Sequence, residues 1–346
     1  MVGGDGFLGS HIAHVLIAAG RRVTTLSRGH HAPVEGAERL VADRRDATAL
    51  AAALGGRRFD LTVDLAAYNA PDIETLWSVP RAALGRTVMI STGQVYMVTE
   101  STRRRFREGD SLRPVQREPE EGSRDHGQWS YGIGKRAAEA VLLALRRHQG
   151  VRALVLRLPV VQGEGDPTLR LWAWLERMLD GGPIVLPDGG VRATRFLDVA
   201  DVGPLIERIA SGFWPRGAVY NLAAPRVTTL RRFLALAARA AGVQPDFAAI
   251  PKAAIGRLGL DIVEWPFAGR WSSVLDPSRA RRGLGFTGTP PEDYLPRVVG
   301  WHLEHRPAAS HPGYAQRAAE REAVERWHAE RLGTGEHPAG PELGIA

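Results

Sequence analysis

The chain has 346 residues, 44% of them apolar, enough to bury one large core or two smaller ones, and its formal net charge is +7. It contains no cysteine, which excludes disulfides, thiolate metal sites and cysteine nucleophiles. No apolar run approaches the roughly 18 residues of a membrane span and no signal peptide is read at the start, so a soluble, cytoplasmic protein is expected.

The chain opens "MVGGDGFLGSH", with Gly3, Gly6 and Gly9 three apart. Ile12, Val15, Leu16 and Ala19 then recur at helical spacing up to Gly20. Strands are expected at "RRVTTLS" (21–27), "RLVA" (39–42), "DLTVDLAA" (60–67), "RTVMIS" (86–91) and "VRALVLRL" (151–158). Helices are expected over 46–54, near 72–84 and over 131–148, and the polar segment 98–128 reads as a loop. Strands alternating with helices predict an α/β fold with a mostly parallel sheet covered on both faces.

Beyond Pro159 the alternation loosens. Short strands are expected at "PIVLP", "AVYNLA" and "DFAAIP", with helices near 168–180, 200–211, 228–241 and 291–305. The predicted organisation is a nucleotide-binding portion over 1–160 with a returning segment at about 194–224. A smaller substrate portion covers 161–193 and 225–310, a charged helix 311–332 and a disordered tail 333–346.

Two motifs carry chemistry. A glycine triplet opening a helix permits a sharp turn and close backbone approach, and the helix N-terminus attracts phosphate. "SYGIGK" places Tyr131 and Lys135 four apart on one helix face. A cation beside a phenol favours the phenolate, which suits Tyr131 to exchange a proton with a carbinol or carbonyl. Ser91 and Thr92 end a predicted parallel strand, the edge at which open α/β sheets bind ligands. Capping of the strand end is the alternative role for these hydroxyls.

Together these stretches resemble the extended short-chain dehydrogenases/reductases, specifically the NAD-dependent epimerase/dehydratase branch, over roughly residues 1–300. "GGDGFLGSH", "ADRRD", "DLAAYN", "ISTGQVY", "YGIGK", "RLPVVQG", "TRFLDVADV" and "VYNLA" stand in the family's order. The resemblance implies a Rossmann-type doubly wound sheet with a smaller C-terminal substrate-binding portion. It assigns Thr92, Tyr131 and Lys135 as catalytic, Tyr131 being the acid/base and Lys135 also the holder of the ribose. Gly3, Gly6, Phe7, Leu8 and Gly9 would hold the pyrophosphate, and Asp43 and Arg44 would flank the adenine. Leu65, Ala66 and Ala67 would line the ribose side, with Ser91 and Pro159 completing the cofactor site. Thr92, Gly93, Gln94, Arg192 and Arg195 are the expected substrate contacts, and no metal is expected.

Four features depart from the family pattern. Only Met1 and Val2 precede the glycine turn, where a central strand belongs, so the first strand is expected to be truncated and its missing residues encoded upstream. An acidic residue normally ends the second strand to hold the ribose 2′-hydroxyl. Ser27 and Arg28 stand there, with His30 and His31 close by, which favours NADP(H) over NAD(H). Sugar dehydratases carry Asp-Glu after the catalytic Thr, whereas this chain has Gly93-Gln94, so dehydration is not expected. Finally, the arginine-rich loop between Thr92 and Tyr131 could cover an anionic substrate or be a solvated insertion.

The expected function is hydride transfer at a secondary carbinol or ketone of a nucleotide-sugar-like substrate, as an epimerase or, with a slight lean, a ketoreductase. "LSRG" and "ADRRD" also resemble plant plastid stem-loop RNA-binding relatives, which lack the Tyr-x-x-x-Lys pair that is intact here. A catalytically silent RNA- or ligand-binding protein is therefore the alternative. Most arginines are dispersed, which does not favour a nucleic-acid partner. A small-molecule partner is expected, no membrane is, and a homodimer is left open.

Overall fold

The computed structural model describes residues 1–79, 81–100, 104–261, 265–269, 271 and 273–333. Two compact units emerge: one is Met1–Pro167, Thr194–Val227 and Trp271–Tyr294, and the other comprises the described residues of 168–193, 228–270 and 295–346. The tail expected over 333–346 lies, after Gly333, outside the described residues.

In the first unit the strands are β1 Thr24–Ser27, β2 Glu38–Val41, β3 Leu61–Asp64, β4 Arg86–Thr92, β5 Ala153–Leu158 and β6 Val160–Gln162. Its helices up to that point are α1 Phe7–Ala18, α2 Ala47–Leu54, α3 Ala70–Leu76, α4 Arg81–Leu84, α5 Gln94–Met97 and α6 Arg124–Gln149. The second unit contributes α7 Trp172–Leu179 and β7 Ile184–Pro187, and the chain passes back through β8 Ala193–Thr194. The first unit then adds β9 Phe196–Asp198, α8 Val202–Ala210 and β10 Val219–Asn221.

The second unit continues with β11 Thr228–Thr229, α9 Leu230–Ala240, β12 Phe247–Ile250 and α10 Lys252–Ile255. Then follow α11 Ser278–Leu284 in the first unit, α12 Pro291–Glu304 at the division, and α13 Arg317–Gly333 in the second. Residues 271–294, grouped by sequence with the substrate portion, pack with the first unit. Ala280, Leu284 and Phe286 join its core.

The strands run β10-β5-β4-β3 on one side and β1-β2 on the other, all parallel. Val2 bridges the two sets, pairing with Leu26 of β1 and Asp64 of β3. Its N–H donates to the Val63 carbonyl and its carbonyl accepts from the Leu65 N–H, both at 2.9 Å. The gap expected between these strands is thus spanned at the level of the glycine turn. The Met1 amine donates to the Thr24 carbonyl at 2.7 Å, and burial pushes its pKa down to about 6.

Helices α1 and α8 pack together on one face of this sheet and α3 and α6 on the other. The architecture is α/β and doubly wound, with the order reversing at Val2. Open sheets of this kind form their crevice at such a reversal.

Two boundaries differ from the sequence reading. Helix α6 begins at Arg124, capped by Ser123, whose hydroxyl accepts from the His126 N–H at 3.1 Å. Its first two turns, "RDHGQWS", are polar and lack the apolar period that reveals a helix. The helix expected near 72–84 is two helices, α3 and α4. An Asn69–Asp72 capping box starts α3 early, and Trp77 ends it.

In the second unit, β7 and β12 pair in parallel. Glu320 of α13 is fully buried there: it accepts from Arg177 Nε at 2.9 Å and from the Val185 N–H at 2.9 Å. Among the described residues, no helix is long and apolar enough to cross a membrane.

Candidate functional site

A groove of about 400 Å³ lies along the C-terminal edge of the first unit's sheet. Of the expected cofactor residues, Gly3, Gly6, Phe7, Leu8, Gly9, Ser27, Arg28, Asp43, Arg44, Leu65 and Ala66 line it. Its floor is the glycine turn. A Cβ on Gly9 would stand 2.6 Å from the carbonyl oxygens of Gly3 and Gly4, so only glycine lets α1 start this close. The N-cap of α1 is Gly6, and no side chain caps it. The first-turn N–H groups therefore remain for a ligand in the groove, an arrangement that fits a pyrophosphate.

Arg44 borders the groove differently from the expectation. Its guanidinium is buried and locked bidentately on Asp64, at 2.6 and 2.9 Å, and also donates to the Asp72 carbonyl. Asp64 Oδ1 accepts from the Ala66 N–H, and Asp72 Oδ2 from the Tyr68 N–H. Arg44 thus clamps the 65–69 turn that would face a ribose. Asp64 and Asp72 were missed in sequence. A charged residue inside an apolar strand, as in "LTVD", was the available signal, since buried charge needs a partner. Ala67 is fully buried in the core under α3 and α6 and does not reach the groove.

Lys135 is almost completely buried. Its Nζ donates to the Ile90 carbonyl at 3.2 Å and lies 5.0 Å from the Tyr68 ring centroid. Burial pushes its pKa down to about 8. Tyr131 is 38% exposed, with its ring 6.3 Å from that of Tyr68. Ile90 and Tyr68 both line the groove, so Tyr131 and Lys135 adjoin its wall without lining it themselves. A Cβ on Gly134 would meet the Tyr68 carbonyl at 2.4 Å, so this glycine lets α6 seat against the turn. Tyr68 itself was missed as a site residue, although it lies in the quoted "DLAAYN".

At the end of β4, Ser91 donates its hydroxyl hydrogen to Glu139 at 2.5 Å. Thr92 Oγ1 accepts from the Gln94 N–H at 3.1 Å, a strand-end cap that leaves its own hydrogen for another acceptor. Gln94 Nε2 donates to the Gln128 carbonyl at 3.3 Å, and Pro159 is buried after β5. A Cβ on Gly93 would fall 2.1 Å from Ser273 Oγ, so no larger side chain fits at 93 without displacing Ser273.

The polar loop is anchored beside this edge. Arg104 grips Asp110 bidentately at 2.7 and 2.8 Å, and Arg107 lies 3.4 Å from Asp276. The Phe106 N–H and carbonyl pair with residues 274 and 276. Arg157 of β5 reaches Glu139 at 2.5 Å, the Tyr96 hydroxyl at 2.7 Å and Ser111 at 2.9 Å. Residues 104–111 are therefore tied to the first unit by internal contacts, whereas Arg117, Glu118, Glu120 and Glu121 are exposed, as the solvated-insertion alternative expects. Arg103 lies outside the described residues.

The two arginines expected to contact the substrate have structural partners. Arg195 is buried, and its guanidinium donates to the carbonyls of Leu275, Pro225 and Arg226. Burial lowers its pKa to about 10. Those carbonyls take three of its five N–H donors, so the side chain is held by the fold, which a substrate contact by Arg195 would have to share. In the second unit, Arg192 donates to the Gly269 carbonyl at 2.7 Å.

A sequence profile described as the NAD dependent epimerase/dehydratase family matches residues 1–223. The chain belongs to that family. The family's name states its dependence on NAD, which the uncapped helix N-terminus over the glycine turn suits. No curated protein matches.

Among solved structures, the family fold recurs over most of the chain. The UDP-glucose 4-epimerase of Thermotoga maritima, solved with UDP-glucose, is 20% identical with a TM-score of 0.69, covering 88% of this chain and 98% of that one. The UDP-glucose 4-epimerase of Thermus thermophilus, solved with NAD, is 21% identical with a TM-score of 0.65, covering 87% and 97%. The dTDP-glucose 4,6-dehydratase of Bacillus anthracis, also with NAD, is 16% identical with a TM-score of 0.66, covering 88% and 96%.

Proposed function

We propose that this chain transfers a hydride at a secondary carbinol or ketone of a nucleotide-sugar-like substrate, with a nicotinamide dinucleotide in the groove. The observation that carries the reading is the seat of Tyr131 and Lys135. The lysine is buried against the groove wall at Ile90 and Tyr68, and Tyr131, four residues earlier on the same helix, is solvent-exposed. The similar solved proteins are named for UDP- and dTDP-sugar substrates, which supports the substrate class.

When bound, the nicotinamide supplies or accepts the hydride. Tyr131 moves the carbinol proton through its phenolic oxygen. Thr92, whose hydroxyl hydrogen is not used by its cap, orients the substrate oxygen. Protonated Lys135 favours the phenolate and holds the ribose. Elimination of water is disfavoured: position 93 has no room for an acid while Ser273 covers it, and Gln94 carries no titratable group.

Epimerisation and ketoreduction remain, and they differ in whether the dinucleotide stays. By sequence alone the Ser27-Arg28 pattern favours NADP(H) and with it ketoreduction; the contact of Ser27 with Asp5, argued below, counts against that lean. The test is mass spectrometry of small molecules released from the purified protein, followed by turnover assays on UDP- and dTDP-hexoses. Co-purified dinucleotide with interconversion of 4-epimers supports epimerisation, and release of oxidised dinucleotide from a keto substrate supports ketoreduction. A protein that binds neither dinucleotide nor nucleotide sugar overturns the proposal.

A further inference from the structure

Asp5 stands inside the glycine turn, between Gly4 and Gly6, and its side chain has no solvent exposure. Its Oδ2 accepts the Ser27 hydroxyl hydrogen at 2.6 Å, with Arg39 Nε 3.4 Å from the same oxygen. Its Oδ1 is buried without a hydrogen-bond partner. A buried carboxylate oxygen left unpaired is costly, and a glycine turn does not need one to fold. The neighbouring groove supplies a reason for it.

A hydroxyl has one hydrogen and two acceptor positions. Ser27 gives its hydrogen to Asp5 and accepts from the Gly29 N–H at 3.2 Å. Ser27 lines the groove, and what its oxygen has left to offer is one lone pair. Ser27 ends the strand that follows the glycine turn and α1, the place at which this fold reads the adenosine ribose. A lone pair accepts from a ribose 2′-hydroxyl but has nothing to offer a 2′-phosphate, whose oxygens also accept.

Charge acts in the same direction. The Asp5 carboxylate lies buried directly behind Ser27, where the low dielectric strengthens its repulsion of a phosphate. Arg28, His30 and His31 line the same end of the groove but are exposed, so solvent and salt weaken their attraction. Arg39, at 3.4 Å, offsets part of the Asp5 charge without reaching the lone pair on Ser27.

We propose that Asp5, acting through Ser27, makes this groove selective for NAD(H) over NADP(H), taking the place of the acidic residue absent from the end of the second strand. Asp5 is a positioning residue in this scheme, and Ser27 makes the contact. The proposal rests on the reading that a nicotinamide dinucleotide occupies the groove, and it reverses the NADP(H) preference inferred from Ser27 and Arg28 alone. It also moves the lean from ketoreduction toward epimerisation, which keeps its dinucleotide through the cycle.

The test is fluorescence titration of the full chain with NADH and with NADPH, for wild type, Asp5→Asn and Ser27→Ala. The amide of Asp5→Asn can still accept from Ser27, so that variant removes charge alone. Wild type should bind NADH at least about tenfold more tightly. Asp5→Asn should narrow that ratio by about fivefold or more, mainly by strengthening NADPH. Ser27→Ala should weaken NADH alone by several-fold. A wild type that prefers NADPH, or variants in which both affinities fall by the same factor, overturns the role of Asp5. If Asp5→Asn does not fold, the wild-type ratio and Ser27→Ala decide. A wild type that binds neither cofactor sinks the dinucleotide reading itself, an outcome distinct from a failed ratio.

Discussion

Lys135 Nζ lies 5.0 Å from the centroid of the Tyr68 ring while donating to the Ile90 carbonyl at 3.2 Å. An ammonium with one carbonyl and one aromatic face has poor compensation for lost water. Its pKa accordingly falls from 10.5 to about 8, with Asp64 and Glu139 only partly offsetting burial.

The stability consequence has a definite sign. Between about pH 8 and 10.5 the unfolded chain keeps a proton at Lys135 that the folded chain releases. Stability from this group therefore rises with pH across that window and is lowest below it. The shift corresponds to roughly 3 kcal/mol. Lys135→Met should be more stable than wild type at pH 7 by about 1–3 kcal/mol, and the difference should shrink from about pH 8 upward and close only above about pH 10.5. Urea denaturation of both proteins at several pH values checks this, and parallel profiles would refute it.

Tyr131→Phe should lower turnover by about 10²–10⁴-fold, the range for a positioned acid/base, with dinucleotide affinity nearly intact. Lys135→Ala should reduce both turnover and affinity. Steady-state kinetics and cofactor titration on the substrate found by the turnover assays separate the two. Wild-type turnover in Tyr131→Phe would remove the phenol from the chemistry.

Arg44→Ala leaves Asp64 as a buried carboxylate without its bidentate partner. The expected loss is about 3–5 kcal/mol of stability, accompanied by weaker dinucleotide binding as the 65–69 turn loosens. Were Arg44 an adenine contact alone, affinity would fall while the denaturation midpoint held. Measuring both on one preparation distinguishes the roles.

Glu139→Ala should cost a similar amount, about 3–5 kcal/mol, because Arg157 then remains as a buried unpaired cation. Ser91 loses its acceptor as well. Adding Arg157→Met should recover much of the loss, since a buried pair removed whole costs less than half a pair. A double-mutant cycle by chemical denaturation measures the coupling, and strict additivity would refute it.

Local patterns carried the broad architecture. The glycine triplet, the alternation of apolar strands with helices and the Tyr131–Lys135 spacing were legible because each is written within a few residues. They announced the parallel sheet, the cradle at α1 and the phenol–ammonium face of α6. Invisible to the same reading were the first turns of α6, whose polar residues carry no period.

Most of the electrostatics of the site was decided only by tertiary structure. Arg44 and Arg195 read in sequence as cations awaiting a ligand, yet Asp64, 20 residues away, and carbonyls 30 to 80 residues away hold them. The Asp5–Ser27 contact joins positions 22 apart. Whether a charge serves a ligand or the fold depends on what packing brings within about 3 Å and on how much water remains there. Sequence determined which groups this protein owns, and the fold decided which of them are already spent.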